Sequence, residues 1–142
     1  MSKIQEIQVG IIGVGMIGME HIRGFRVIPR CRVAAIADLN EQQLAKASAE
    51  YAIPQACTDY KELLALDGLD AVVICVPSFA HEEIAMAALA AGKHVFMEKP
   101  VAVDGPGVRR IIAAGRKAKE KGLSVVAGTQ RRHQKGYIET IK

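Results

Sequence analysis

Gly13, Gly15 and Gly18 stand in the spacing G-x-G-x-x-G within Val9-Gly10-Ile11-Ile12-Gly13-Val14-Gly15-Met16-Ile17-Gly18, directly after an apolar, β-branched stretch. In that setting the first glycine permits a tight turn, the second lets the backbone come close to a pyrophosphate, and the third lets the following helix pack closely on the strand. The phosphates would sit on free backbone N–H groups, from Gly15 through Met16 and Ile17, at the positive end of the helix dipole. Three glycines can also serve a turn alone, so a second signal matters. Twenty residues past Gly18, at the end of Val33-Ala34-Ala35-Ile36-Ala37-Asp38, stands an acid. Its carboxylate can accept hydrogen bonds from the adenosine ribose hydroxyls of a dinucleotide. The bland use of Asp38 is as a polar strand end or a helix cap. A carboxylate facing the 2′ position repels the extra phosphate of NADP, and Leu39-Asn40 supplies no arginine to neutralise it, so NAD is favoured over NADP. S-adenosylmethionine is the competing ligand for such a loop, and the three-glycine form fits a pyrophosphate better.

A loop of this kind works only if a strand delivers the chain to it and a helix leads the chain away. Apolar runs rich in β-branched residues alternate with longer stretches of helical period, the pattern of repeated βαβ units around a parallel sheet. Strands are expected at 7–12, 32–37, 55–58, 71–76, 94–97 and 124–127. Helices are expected at 17–27, at 41–51 behind Asn40, at 60–66 behind Asp59, at 80–91 with Ser78 as cap and Gly92 as stop, and at 107–121 before Gly122. The last of these should bury a stripe of Val108, Ile111, Ile112 and Gly115. Residues 135–142 read as the opening of a further helix. The fold class is α/β, a doubly wound parallel sheet of the Rossmann kind.

With 142 residues, half of them hydrophobic, the chain can bury one sizeable core. Aromatic residues are 4% and Trp is absent, which leaves little for stacking single-stranded nucleic acid. The net charge of +4 is unevenly placed: residues 109–142 hold ten Lys and Arg against two acids, while residues 1–108 hold nine against thirteen. We read the excess as a solvated helix face followed by a functional turn, not as a nucleic-acid surface. No apolar run reaches the ~18 residues of a membrane span, and the start Met1-Ser2-Lys3 lacks the basic-then-apolar pattern of a secretory signal. Cys31, Cys57 and Cys75 form no C-x-x-C and read as reduced thiols of a cytoplasmic protein. No metal site is expected.

The stretch Gly92-Lys93-His94-Val95-Phe96-Met97-Glu98-Lys99-Pro100 ends in Glu-Lys-Pro after the fifth expected strand. Together with the glycine loop, Val76-Pro77 followed by His81, and Gly128-Thr129-Gln130-Arg131-Arg132, it closely resembles the glucose-fructose oxidoreductase / inositol dehydrogenase / rhizopine catabolism (Gfo/Idh/MocA) family. The resemblance covers essentially the whole chain in the family's order. It implies an NAD(P)-dependent oxidoreductase acting on a sugar, cyclitol or related polyol. It also implies an N-terminal Rossmann domain and a C-terminal α/β domain that binds substrate and often forms the oligomer interface. On this basis residues 1–129 are expected to be the dinucleotide-binding domain and 130–142 the crossover segment opening a second domain, the rest of which is absent from this sequence.

The resemblance further implies roles. Lys99 would lie beside the nicotinamide, bind the reacting hydroxyl and assist proton transfer, with Glu98 orienting site and cofactor. Val76 and Pro77 would pass the cofactor's ribose and pyrophosphate, His81 would meet the cofactor on its nicotinamide side, and Gln130 would approach the nicotinamide or substrate. The Lys99–Pro100 peptide bond is expected to be cis. The chemistry suits Lys99, because a hydroxyl whose carbon gives up hydride must also lose a proton, and a nearby ammonium stabilises the developing alkoxide. His133 is not given the family's second proton-transfer role, which falls to a His or Tyr of the absent domain, and His21 reads as a packed interdomain histidine. The expected partners are a small polyol or sugar and a second copy of the chain, with neither nucleic acid nor membrane. The competing reading is a stand-alone NAD-binding or sensing module without chemistry. Lys99 favours the enzyme and chain length favours the module. On the enzyme reading these 142 residues alone bind NAD(H) without turnover.

Overall fold

Short, mostly apolar runs become strands, buried most fully at the centre of the sheet, in the computed structural model, which describes residues 6–141. They are β1 (Ile7–Ile12), β2 (Cys31–Ala37), β3 (Gln55–Cys57), β4 (Ala71–Ile74), β5 (His94–Glu98) and β6 (Val125–Gly128). All pair in parallel, in the order β3-β2-β1-β4-β5-β6. Between them run α1 (Met16–Phe25), α2 (Glu41–Tyr51), α3 (Tyr60–Leu64), α4 (His81–Ala90) and α5 (Gly105–Glu120), with α6 (Lys135–Ile141) after β6. The start Met1-Ser2-Lys3 and the final Lys142 lie outside the described residues.

Helices cover both faces of the sheet, and each face has its own core. Ile11 and Ile36 of the strands pack with Ile22 of α1 and Leu44 of α2 on one side. Ile12, Ile74 and Met97 pack with Leu63 of α3, Ile84 of α4 and Ile111 of α5 on the other. The direction of winding therefore reverses between β1 and β4, and the carboxyl ends of those two strands open a crevice where doubly wound sheets bind ligands.

Capping follows local chemistry. Asn40 Oδ1 accepts from Gln42 N and Gln43 N, both at 3.1 Å, and Asp59 Oδ1 accepts from Lys61 N at 2.8 Å. Helix α5 starts earlier than expected, at Gly105, because Asp104 Oδ1 accepts from Gly107 N at 2.6 Å and Pro106 suits the first turn. Its buried stripe is Gly107, Ile111, Ala114 and Ala118, so the helix is rotated from the expected face and Ile112 is 51% exposed. Small residues let α5 lie close to α4, where Arg110 pairs with Glu82. Ser78 caps nothing: it opens a 3₁₀ turn, Ser78–Ala80, that feeds directly into α4, whose N-cap Ala80 has no side-chain bond. Helix α1 ends at Phe25, and the chain turns back through Arg30, whose φ is 66°, before entering β2. Strand β4 ends at Ile74, which leaves Val76 and Pro77 in the turn that follows it. The Lys99–Pro100 peptide bond is cis.

Among the described residues no helix is long and apolar enough to cross a membrane. No group of three or more His, Cys, Asp and Glu that could hold a metal ion occurs among them either.

Candidate functional site

Strand β1 ends at Ile12 and the chain turns at Gly13, where φ is +92° and a Cβ would lie 2.8 Å from the Cys75 carbonyl carbon and oxygen. Gly13 N donates to Ala37 O at 2.7 Å, and Val14 N donates to Asp38 Oδ2 at 2.7 Å, so the end of β2 holds the loop. At Gly18 a Cβ would stand 1.9 Å from Gly13 O, which only a glycine avoids. Gly15 is different: nothing lies within 4 Å of its would-be Cβ, and its φ is −67°. The fold itself has no need of glycine there, and the open space is where a bound pyrophosphate would press against the backbone. Gly15 is the N-cap of α1, without a side-chain cap and with no acid in the first turn, so the orphan N–H groups there are left for an anion. Met16 and Ile17 of that turn are exposed, at 81% and 45%.

A cleft of about 810 Å³ opens from this loop across the β1–β4 crevice. Gly13, Gly15, Asp38, Val76 and Pro77 all line it. Asp38 closes the glycine loop and also accepts from Asn40 N through Oδ1 at 2.8 Å, so it serves as a structural tie as well as a wall of the cleft. Leu39 and Phe79, 90% and 76% exposed, line the same cleft. Sequence reasoning passed over both, although a large apolar residue directly after Asp38 and another two residues after Pro77 are the kind that cover an adenine face. The charged residues of the lining are Asp38, Asp59 and Glu83, and Glu83 accepts from Tyr60 Oη at 2.9 Å. No Lys, Arg or His stands in that lining to neutralise a 2′-phosphate.

At the carboxyl end of β5 the Glu98 carboxylate pairs with His21 Nε2 of α1 at 2.9 Å, the two side chains being 24% and 19% exposed for His21 and Glu98 respectively. The His21 ring meets Phe96 edge-on, with centroids 5.3 Å apart. Neighbouring Gly128 makes room: a Cβ there would lie 3.0 Å from both Glu98 oxygens and from Phe96 Cζ. His21 and Gly128 were thus missed as site residues. Lys99 and Gln130 line a second cleft, of about 500 Å³, together with Thr129, Arg131 and Arg132.

His81 is buried and does not line the large cleft. It is 2% exposed, with Nδ1 2.7 Å from Pro100 O and Nε2 2.8 Å from Val76 O. The 3₁₀ turn before α4 carries this side chain inward between two backbone turns, where it holds Pro100 O and Val76 O.

Cys31, Cys57 and Cys75 are free, with Cys57 buried and the other two half-buried. Burial, followed by the Glu98 charge, pushes the Cys75 thiol up to about 12 from an ordinary value of 9.0. A thiol held protonated by the fold stabilises it below pH 9 and loses that contribution as pH rises from 9 towards 12. At pH 8 its thiolate fraction is lower by about 10³, so alkylation of Cys75 by iodoacetamide should be slower than in the urea-unfolded chain by that order. Equal rates in both states, read by peptide mass mapping, would remove Cys75 from its buried place beside Glu98.

A family model described as an oxidoreductase family with an NAD-binding Rossmann fold matches residues 7–129. Inositol 2-dehydrogenase of Paracoccus denitrificans is 36% identical over 138 residues, covering 96% of this chain and 40% of that protein. Among solved structures, scyllo-inositol dehydrogenase from Lactobacillus casei with bound NAD(H) and scyllo-inositol shares 28% identity at a TM-score of 0.85, over 96% of this chain and 40% of that one. A 3-ketoreductase from Actinomadura kijaniata, in complex with TDP-benzene and NADP, shares 29% identity at a TM-score of 0.85, over 96% and 42%. The chain spans about 40% of the length of the curated relatives it matches.

Proposed function

The chain belongs to the Gfo/Idh/MocA oxidoreductase family, with its NAD-binding Rossmann fold, and from that premise we propose that it binds NAD in the β1–β4 crevice as part of a polyol dehydrogenase. The observation that carries the reading is the uncapped N-terminus of α1 behind an open Gly15, with the Asp38 carboxylate at the end of the neighbouring strand. The residues fit a dinucleotide: the α1 N–H groups take the pyrophosphate, Asp38 takes the adenosine ribose, and Val76 and Pro77 pass beneath the chain of the cofactor. Leu39 and Phe79 cover the adenine. When bound, the cofactor supplies a hydride acceptor.

The rest of the chemistry belongs to the protein. Lys99 holds the reacting hydroxyl, and its ammonium stabilises the developing alkoxide while the hydroxyl proton passes to solvent. Glu98, paired with His21, orients the turn that carries Lys99, and Gln130 borders the same cleft. The substrate class is a cyclitol, sugar or related polyol, in keeping with the inositol dehydrogenases the chain resembles. We place the dinucleotide-binding unit at residues 1–129 and the opening of a further unit at 130–142, because β6 ends at Gly128 and the family match at 129. Cytoplasmic location and a small-molecule partner, with neither nucleic acid nor membrane, complete the reading. Self-association would use the exposed Val126, Tyr137, Ile138 and Ile141.

Asp38→Asn tests the ribose assignment. It keeps an acceptor for Val14 N and removes the charge that faces a 2′-phosphate. Calorimetry should show NAD weakened and NADP gaining relative to it by about tenfold, a shift of about 1.4 kcal/mol. Equal losses for both nucleotides would put the ribose elsewhere.

A further inference from the structure

Two histidines meet the Glu98–Pro100 turn from opposite faces of the sheet. His21 rises from α1, on the face of Ile11 and Ile22, and holds the Glu98 carboxylate at 2.9 Å. His81 opens α4, on the face of Ile84 and Met97, and holds Pro100 O at 2.7 Å. Its other nitrogen reaches Val76 O at 2.8 Å, in the turn that lines the large cleft. A carbonyl only accepts, so a ring with one N–H serves these two oxygens one at a time, and a ring with both nitrogens protonated serves them together. Between the two anchored residues, Lys99 has no hydrogen bond or ion pair among the described residues and opens onto the second cleft.

We propose that His21 and His81 are positioning residues that clamp the Glu98–Pro100 turn from the two faces of the sheet and so fix where Lys99 presents its ammonium. The inference rests on the reading that Lys99 holds the reacting hydroxyl. Its physical basis is the cost of misplacement: an exposed lysine has a flexible four-carbon stem, and only its backbone can be fixed in advance. The clamp fixes that backbone at the residue before it through the Glu98 side chain and at the residue after it through the Pro100 carbonyl. When both ring nitrogens donate, His81 adds registry, because its bond to Val76 O then ties the Lys99 turn to the turn beneath the cofactor. Gly128 belongs to the same device, since any side chain there would push against Glu98.

Substitution separates the two nitrogens of the His81 ring and removes or keeps the single His21 contact. His81→Asn places an amide nitrogen near Nδ1 and retains the Pro100 contact, whereas His81→Gln reaches the Nε2 position and retains only the Val76 contact. His21→Gln retains the Nε2 contact with Glu98, and His21→Leu removes it. In the natural gene product, assayed with NAD and an inositol panel, kcat should fall about 10- to 100-fold in His21→Leu and His81→Gln, with KM for NAD changed by less than about twofold. His21→Gln and His81→Asn should restore most of the rate. In the 142-residue chain without substrate, amide hydrogen exchange at Lys99 and Val101 should quicken about tenfold in the two damaging variants and return in the two conservative ones.

Wild-type exchange in His21→Leu and His81→Gln overturns the clamp, and faster exchange with unchanged kcat overturns its positioning role. Lys99→Met in the same assay judges the underlying reading separately: full turnover there removes Lys99 from the chemistry, while the exchange data still decide whether the turn is held. Should the buried His81 variants fail to fold, the half-exposed His21 pair decides alone.

Discussion

Lys99→Met is expected to slow hydride transfer between NAD and a polyol by the natural gene product about 10²- to 10⁴-fold, with NAD affinity kept within about twofold. The substitution keeps most of the length and the apolar body of the side chain and removes the ammonium with its N–H donors. Lys99 lines a cleft of about 500 Å³ with Thr129, Gln130, Arg131 and Arg132, at the carboxyl end of β5. No bond to another described residue would be broken by the change, so fold stability should not move. The pyrophosphate loop belongs to β1 and α1, and its N–H groups do not depend on β5. A surface lysine predicts no change at all. Stopped-flow measurement of NADH formation, set beside calorimetric NAD binding, separates the two, and wild-type turnover would return Lys99 to the surface.

Much of the fold could be read from alternation. β1 and α2 have the expected bounds, because an uncharged β-branched run and an Asn-capped amphipathic stretch are local patterns. Where tertiary packing decides, local pattern fails. In α5 the stripe that matters is set by how closely two helices can approach, so Ala114 and Ala118 go inward and Ile112, the stronger apolar signal, goes out. At Ser78 the chain enters α4 through a 3₁₀ turn, a feature of backbone path that a capping residue does not announce.

The candidate site divides along the same line. Gly13, Gly15 and Gly18 stand close together in the chain with Asp38 at a recognisable distance beyond them, and the structure gathers all four at one strand–helix junction. His21 and Glu98 are 77 residues apart, and nothing in either one's neighbourhood names the other. His81 bonds to two backbone carbonyls, which have no sequence signature at all. Gly128 looks like an ordinary strand glycine until the Glu98 carboxylate is seen 3.0 Å from where its Cβ would be. Sequence thus exposes a device whose spacing is local and conceals contacts made between distant elements.

The roles within the glycine loop itself can be measured. Gly18→Ala would put a Cβ 1.9 Å from Gly13 O and 2.9 Å from its carbonyl carbon, both backbone atoms. Gly13 cannot yield, because its N–H is bonded to Ala37 O at 2.7 Å and its other side is closed by the Cys75 carbonyl. The strain therefore spreads into the loop and the first turn of α1, at about 1–3 kcal/mol or more for overpacking of this kind. Thermal unfolding should drop by about 2–8 °C for each kcal/mol lost, and NAD affinity should fall at least about tenfold as the N–H groups leave their places. Gly15→Ala is the counterpart. Its φ of −67° suits alanine and no atom lies within 4 Å, so melting should be unchanged while NAD binding is lost to the methyl group in the pyrophosphate's path. Gly24→Ala, on the same helix with the same open surroundings, should affect neither binding nor fold adversely. If Gly15→Ala binds NAD as tightly as Gly24→Ala does, the pyrophosphate does not cross this loop, and the open space in front of α1 needs a different occupant.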